Sequence, residues 1–530
     1  MKKRIISLLL SGAMCLTMLS ACSQNAEEPP IEAITEADTS YGETEEAPDS
    51  TSQTSAATVS PAEEQTTEPD ETAETSAFEI SSSSEASQTA DTTAETLPTE
   101  TAAPTQAPVT TAPQTTASTT TKIITTTTTA KPVVTTTAKT TPPVTTTTVA
   151  KTDPPAEKPS YPSVSPNNSS SSHKKAIADL TAMDLYKKMT VGWNLGNSLD
   201  ATGNGLSSET AWGNPKITKD LIDAVNAAGF DTIRIPITWM GHFDNTSYKI
   251  DEAWLKRVDE VINYALSNDM YVIINIHHDG NDTNQSWLTP KPDDEAAMIN
   301  KFDIIWYQIA TYFKDYDEHL LFAGMNEFHK GYNNPSKKYL ELTDTLNQTF
   351  VNTVRATGGN NSGRILIVQA YNTNGEQSLK MSMPKDAASS KLMAEIHFYD
   401  PWDFAGEGKG DWGKTGKSTS GWGQEDWVDN IFGKIKSNFA NNNIPVILGE
   451  YGAINNKNGN TDHRRYYVEY VTKSAKEHGL LPIWWDNGYD GSSGEAFALF
   501  DRNSYKKLHE DLHEAIMRAV SGKSYTITLP

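Results

Sequence analysis

The sequence predicts an α/β fold, a (β/α)8 barrel preceded by a long unstructured segment. Three observations lead there. Strand-like and helix-like apolar runs alternate eight times over roughly 350 residues, the pattern of a parallel sheet that closes on itself. Polar and aromatic residues collect just where the strand-like runs end, the end at which barrels of this kind carry their chemistry. The first turn after a strand carries no Gly-rich dinucleotide-binding pattern, so an open doubly wound sheet lacks support.

Before the barrel, residues 1–22 have the form of a bacterial export signal. Lys2, Lys3 and Arg4 precede an apolar stretch from Ile5 to Leu19, and Leu19-Ser20-Ala21-Cys22 closes it. That tetrapeptide is similar to a lipoprotein signal, which implies lipidation at Cys22. Cell-surface attachment is expected, with free secretion as the alternative. The apolar stretch is short for a permanent membrane helix, so any membrane contact is expected through the lipid alone. Cys15 would leave with the signal, and the mature chain would hold no internal disulfide.

Residues 23–173 are rich in Thr, Ser, Pro and Glu and poor in large apolar side chains. Such a segment buries too little to offset ordering entropy and is expected to be a disordered linker. From Ser23 through Ser170 it holds 22 acidic residues and 5 lysines, so most of the chain's net charge of −24 sits there. Its second half, Leu97 to Val149, is mostly Thr with Pro. No basic patch suggests nucleic acid, and a monomer is expected.

The folded domain is expected over 174–530. Candidate strands are Val191–Asn194, Thr232–Pro236, Tyr271–Ile276, Leu320–Gly324, Arg364–Gln369, Leu392–Phe398, Pro445–Leu448 and Leu481–Trp485. Their β-branched, nearly all-apolar character fits strands covered on both faces. Helical periodicity fills Thr218–Ala228, Ala253–Ser267, Glu295–Tyr312, Lys338–Ala356, Trp427–Ala440, His463–His478 and Tyr505–Val520.

Two strands end in a carboxylate: LLFAGMNE reaches Glu327, and IPVILGEYGA carries Glu450. A buried carboxylate at a strand end needs partners or a task, and two of them suggest a pair across one cleft. Glu395, two residues before His397, points the same way but deeper, as a structural group. His277 and His278 are neighbours on a strand and are expected on opposite faces, so only one would face the cleft. All twelve tryptophans of the chain lie in this domain. Trp485, Trp212, Trp287 and Trp402, in or beside the loops after strands, suit stacking on the apolar faces of sugars, whereas Trp427 opens a helix and suits packing. His509-Glu510-Asp511-Leu512-His513 matches a zinc-protease pattern, but its histidines lie off the helix's apolar stripe. The Asn/Gly run 455–462 lacks the acidic spacing of a calcium loop. No metal and no cofactor are expected.

The motifs GWNLGNSLDA (192–201), TAWGNP (210–215), RIPITW (234–239), INIHHDG (274–280), GMNEF (324–328), EIHFYDPWDF (395–404), ILGEYGA (447–453) and WWDNG (484–488) resemble glycoside hydrolase family 5, its bacterial endo-β-1,4-glucanase branch. The resemblance implies a retaining cellulase with Glu327 as acid/base and Glu450 as nucleophile. It implies Arg234, His277 or His278, Asn326, His397, Tyr399 and Trp485 around the sugar; Asn197, where the first strand ends, is a further candidate for substrate binding. Glu450 would be ionised, held by Arg234 and Tyr399, and Glu327 protonated. Xyloglucan, mixed-linkage glucan and mannan are alternative substrates, and a non-catalytic polysaccharide-binding barrel is an alternative of another class. Phe328 departs from the Pro that often follows the Asn-Glu pair.

Overall fold

The computed structural model describes residues 160–530, apart from 205, 281–285, 292–293, 333, 414–420, 456–460 and 492–493. The expected export signal, Cys22 and the linker up to residue 159 therefore lie outside the described residues, as does most of the Asn/Gly run.

Eight strands close into a barrel: β1 Gly192–Asn194, β2 Thr232–Ile235, β3 Tyr271–Ile274, β4 Leu320–Ala323, β5 Leu366–Asn374, β6 Leu392–Phe398, β7 Val446–Tyr451 and β8 Leu480–Trp484. Neighbours in sequence are neighbours in space, every pair is parallel, and β8 returns to β1. Alternation along each strand divides the core in two. Ile273, Leu321, Ile367, Met393, Ile447 and Leu481 point inward and pack together. Val272, Ile274, Leu320, Phe322, Leu366, Val368 and Leu448 point outward against the helices. Ala182 and Leu185 of a short helix, Ala182–Tyr186, join the inward cluster and plug the amino-terminal end. Thr181 and Asp184 cap that helix reciprocally.

The helices follow the apolar periodicity with two departures. Only four helical residues, Gly375–Ser378, lie between β5 and β6. The last helix is Glu510–Val520 rather than Tyr505–Val520, because Tyr505 takes a φ of +61° and Lys507 forms a β-bridge to Phe500. The amino-terminal side also differs from the expected boundary. Residues before Lys174 pack on the barrel: Tyr161 stacks on Tyr307 with ring centres 3.8 Å apart and donates to Asp303, and Asn167 donates to Asp259. Polar composition concealed these anchors, since few side chains carry the docking.

The His509–His513 pair does not converge. His509 Nε2 lies 2.9 Å from Asp490, while His513 Nε2 is 2.7 Å from the carbonyl of Ala228.

Candidate active site

The site forms at the carboxyl ends of the strands, around one arginine. Arg234 on β2 is fully buried. Its Nη1 donates to Asn194 Oδ1 on β1 (3.0 Å) and Glu450 Oε1 on β7 (2.8 Å). Its Nη2 donates to Asn326 Oδ1 after β4 (2.7 Å), and its Nε lies 2.9 Å from Glu395 Oε1 on β6. A planar, permanently charged fork is the side chain suited to join several strand ends at once. Glu395 is sealed below, accepting from Gln369 at 2.7 Å. The strand beside it must be Gly449: a Cβ there would come within 2.0 Å of Glu395 Oε1.

Glu450 also accepts from the Tyr399 hydroxyl at 3.2 Å, and His397 Nδ1 lies 3.6 Å from its Oε2. The same Nδ1 is 2.8 Å from Glu327 Oε1. One oxygen of Glu327, one of Glu450 and one His397 nitrogen lie within 4.8 Å of one another. Glu450 is buried, whereas the Glu327 side chain keeps 29% of its surface exposed.

Burial would raise both carboxyls. At Glu327 the His397 hydrogen bond overrides it and leaves the group below its usual range. At Glu450 burial prevails over the attraction of His397 and Arg234, with Glu327 and Glu395 adding repulsion, and the group sits above its usual range. This is the reverse of the order expected from sequence, because His397 gives its hydrogen bond to Glu327 while buried Glu450 faces two other carboxylates. Arg234 and His397 bring two positive charges to three carboxylates, so one further proton makes the centre neutral. Burial lowers the His397 imidazole, but Glu450, Glu327 and Glu395 lift it to about 9. Burial and Glu450 push the Tyr399 hydroxyl well above its usual range.

Trp485 follows β8 and lies parallel to His277 with ring centres 5.9 Å apart. Behind it, buried Asp486 accepts from Trp193 Nε1, Gly488 N, Leu499 N and Arg502, which fixes the loop that carries the indole. The expectation that His277 and His278 point to opposite faces is corrected. Their rings touch edge to face at 4.4 Å, because β3 ends at Ile274 and a 3-10 turn, His278–Gly280, begins at the second histidine. Strand alternation no longer applies there. His278 Nε2 lies 3.5 Å from Asp200, and its ring lies 5.1 Å from Trp212. Burial and the nearby His278, Arg234 and His397 charges lower the His277 imidazole well below its usual range.

Asn197 takes a φ of +55°, its N–H donates to Asp200, and its carbonyl accepts from Asn214. Trp212 and Trp402 are each 44% exposed, and Trp402 stands edge-on to Tyr399 at 5.9 Å. Trp287 has other company. Its Nε1 donates to Asp279 at 2.5 Å, and Lys301 Nζ lies 4.8 Å from its ring. Its described contacts do not reach the carboxyl pair. Phe328 is buried, and its carbonyl accepts from Asn372. Sequence reasoning gave no role to Asn194, whose Nδ2 donates to Gly449 O and Trp484 O while its oxygen accepts from Arg234. Its place at the end of a buried strand was the available signal.

The description "Cellulase (glycosyl hydrolase family 5)" matches residues 199–491. The chain belongs to glycosyl hydrolase family 5. This family 5 chain is 39% identical over 375 residues to Endoglucanase A of Paenibacillus barcinonensis, covering 66% of this chain and 93% of that protein. It is similar in structure to a family 5 xyloglucanase from Paenibacillus pabuli, with a TM-score of 0.61 and 38% identity over 64% of this chain and all of that one. A broad-specificity endoglucanase from Ruminococcus champanellensis with bound cellotriose matches with a TM-score of 0.59 and 40% identity, over 64% of this chain and 99% of that one.

Proposed function

We propose that this family 5 enzyme is a retaining endo-β-1,4-glucanase in which Glu450 is the nucleophile and Glu327 the acid/base. The observation that carries this reading is the approach of the two carboxyls to within 4.8 Å. Retaining glycosidases space their carboxyls by about 5 to 5.5 Å, and inverting ones leave room for a water between them. Glu450 attacks the anomeric carbon as the bond from that carbon to the leaving oxygen breaks, and Glu327 gives its proton to that oxygen. Water, deprotonated by Glu327, then attacks the same carbon and releases Glu450. Arg234 and the Tyr399 hydroxyl each donate to one oxygen of Glu450 and favour its ionised form. The acid/base role requires the proton to reside on Glu327 when a glycosidic oxygen lies beside it. Asn326, held by Arg234, is placed for the sugar 2-hydroxyl, and Trp485 for the sugar face. Trp212, Trp402 and His278 extend the cleft.

The test is direct. Glu450→Ala and Glu327→Gln should each lower turnover on soluble β-glucan by several orders of magnitude with the fold intact. Proton NMR of the fresh product should show the β-anomer first. Near-normal turnover in either variant, or an α-anomer product, refutes the assignment. A panel of cellulose, mixed-linkage glucan, xyloglucan and mannan fixes the preferred chain. Similarity to the P. pabuli xyloglucanase supports including xyloglucan. Absence of reducing-sugar release from every member would favour a binding barrel instead.

The export-signal pattern supports a surface-held lipoprotein anchored at Cys22. Cys22→Ala should move the enzyme from the detergent phase to the medium.

A further inference from the structure

The turn that carries His277 and His278 is stitched to the turn after β2. His277 N donates to Ile237 O at 2.8 Å, His278 N to Thr238 Oγ1 at 3.0 Å, and Trp239 N to Asp279 Oδ2 at 2.7 Å. In the other direction, Ile237 N and Trp239 Nε1 donate to the side-chain and main-chain oxygens of Asn275. Asp279 brings the only carboxylate to this set of bonds, and it is fully buried. Its other oxygen accepts from Trp287 Nε1 at 2.5 Å, and its carbonyl accepts from Leu288 N at 2.9 Å.

The Trp287 indole leads on to Lys301, on the helix Glu295–Tyr312. Lys301 Nζ lies 4.8 Å from the centre of the Trp287 ring, 4.3 Å from that of Phe243 and 5.1 Å from that of Tyr248. Phe243 and Tyr248 belong to the segment after β2 and Trp287 to the segment after β3, so rings from two loops surround one ammonium. Packing alone does not call for a charge there. A Met side chain would fill similar space without taking an ammonium out of water. Burial lowers the Lys301 amine to about 8, against the attraction of Asp279 and with repulsion from Lys291. Burial likewise raises the Asp279 carboxyl to about 6, opposed by the Trp239, Trp287 and Met240 N–H donors and by the Lys301 charge. Both groups are therefore charged at neutral pH. The ammonium is drawn to the ring faces and to Asp279, and so holds both loops against one helix.

We propose that Asp279 and Lys301 are positioning residues for the reaction: through Trp287 they fix the turn that aims His277 and His278 into the cleft. The assignment rests on the endoglucanase reading of that cleft. The aim matters because His277 lies parallel to Trp485 at 5.9 Å, while His278 lies 5.1 Å from Trp212 and 3.5 Å from Asp200. A shift of the turn displaces both rings from the platforms that hold the sugar chain, away from the carboxyl pair itself. The loss should therefore fall on KM more than on kcat.

Three variants of the full chain test this. Lys301→Met keeps an unbranched stem and removes the charge, Lys301→Arg restores the charge, and Asp279→Asn turns an amide N–H2 against one of the two N–H donors. On soluble β-glucan, KM should rise about five-fold in Lys301→Met and about ten-fold in Asp279→Asn, with kcat within about three-fold of wild type. Lys301→Arg should return KM to within about two-fold of wild type. In NMR spectra the His278 ring signals, assigned by their loss in His278→Gln, should move in Lys301→Met and return in Lys301→Arg. An unchanged KM in Lys301→Met and Asp279→Asn, His278 signals that stay in place, or a loss that Lys301→Arg does not restore overturns the proposal. Absence of turnover in the wild type would refute the endoglucanase reading instead, and the His278 signals would still decide whether Lys301 positions the turn.

Discussion

Replacing Arg234 by Met tests the electrostatic design of the centre. The guanidinium lies 2.8 Å from Glu450, 2.9 Å from Glu395 and 2.7 Å from Asn326. Two opposite charges about 4 Å apart interact by about 4 kcal/mol at an effective dielectric constant near 20. Removing the cation should therefore raise the Glu450 carboxyl by about three pKa units, at 1.36 kcal/mol per unit. Only His397 would remain to balance three carboxylates, so two of them would hold protons near neutral pH. The acid limb of the kcat profile should shift to higher pH, and kcat at pH 6 should fall by about 10²- to 10³-fold. Arg234→Lys keeps the charge but not the fork; its limb should stay in place while kcat falls about ten-fold. Initial rates on soluble β-glucan across pH, with circular dichroism to confirm folding, give both numbers. An unmoved acid limb in Arg234→Met, with kcat within ten-fold of wild type, would refute the argument.

Three further outcomes are expected. His397 is raised to about 9 in the folded protein against about 6.5 unfolded, so its contribution to stability is complete below about pH 6.5 and is lost as pH rises through about 9; Tm should fall over that window in wild type and less in His397→Asn, and equal slopes would contradict it. Trp402→Ala removes a half-exposed ring worth about 1 kcal/mol of sugar contact, so KM should rise about five-fold with kcat and Tm nearly unchanged; a collapse of Tm would make the ring structural. Gly449→Ala forces a methyl against buried Glu395 and should cost about 3 kcal/mol or more, read as a lowered denaturation midpoint; a neutral result would mean that Glu395 can move aside.

The barrel was legible because its strands are built on short, nearly all-apolar runs, a pattern that coverage on both faces explains. Glu327 and Glu450 stood out for the same reason: each ends such a run. What escaped was set by backbone departures that composition does not announce. The 3-10 turn at His278 brought two rings together that alternation would separate, and the positive φ of Tyr505 shortened the last helix. Trp287 looked like a sugar platform, but its indole is engaged by Asp279 and Lys301, partners visible only after folding. The protonation order at the carboxyl pair depends on neighbouring charges brought together from four strands.

Arg234 reaches residues carried by β1, β4, β6 and β7 from its own place on β2, while Trp212 and Trp402 project from segments that follow the strands. Redesign of the glycan accepted by this enzyme can therefore proceed by exchanging peripheral segments one at a time. The reacting centre, by contrast, is a single interlocked unit: altering any member obliges the other four to be re-optimised together.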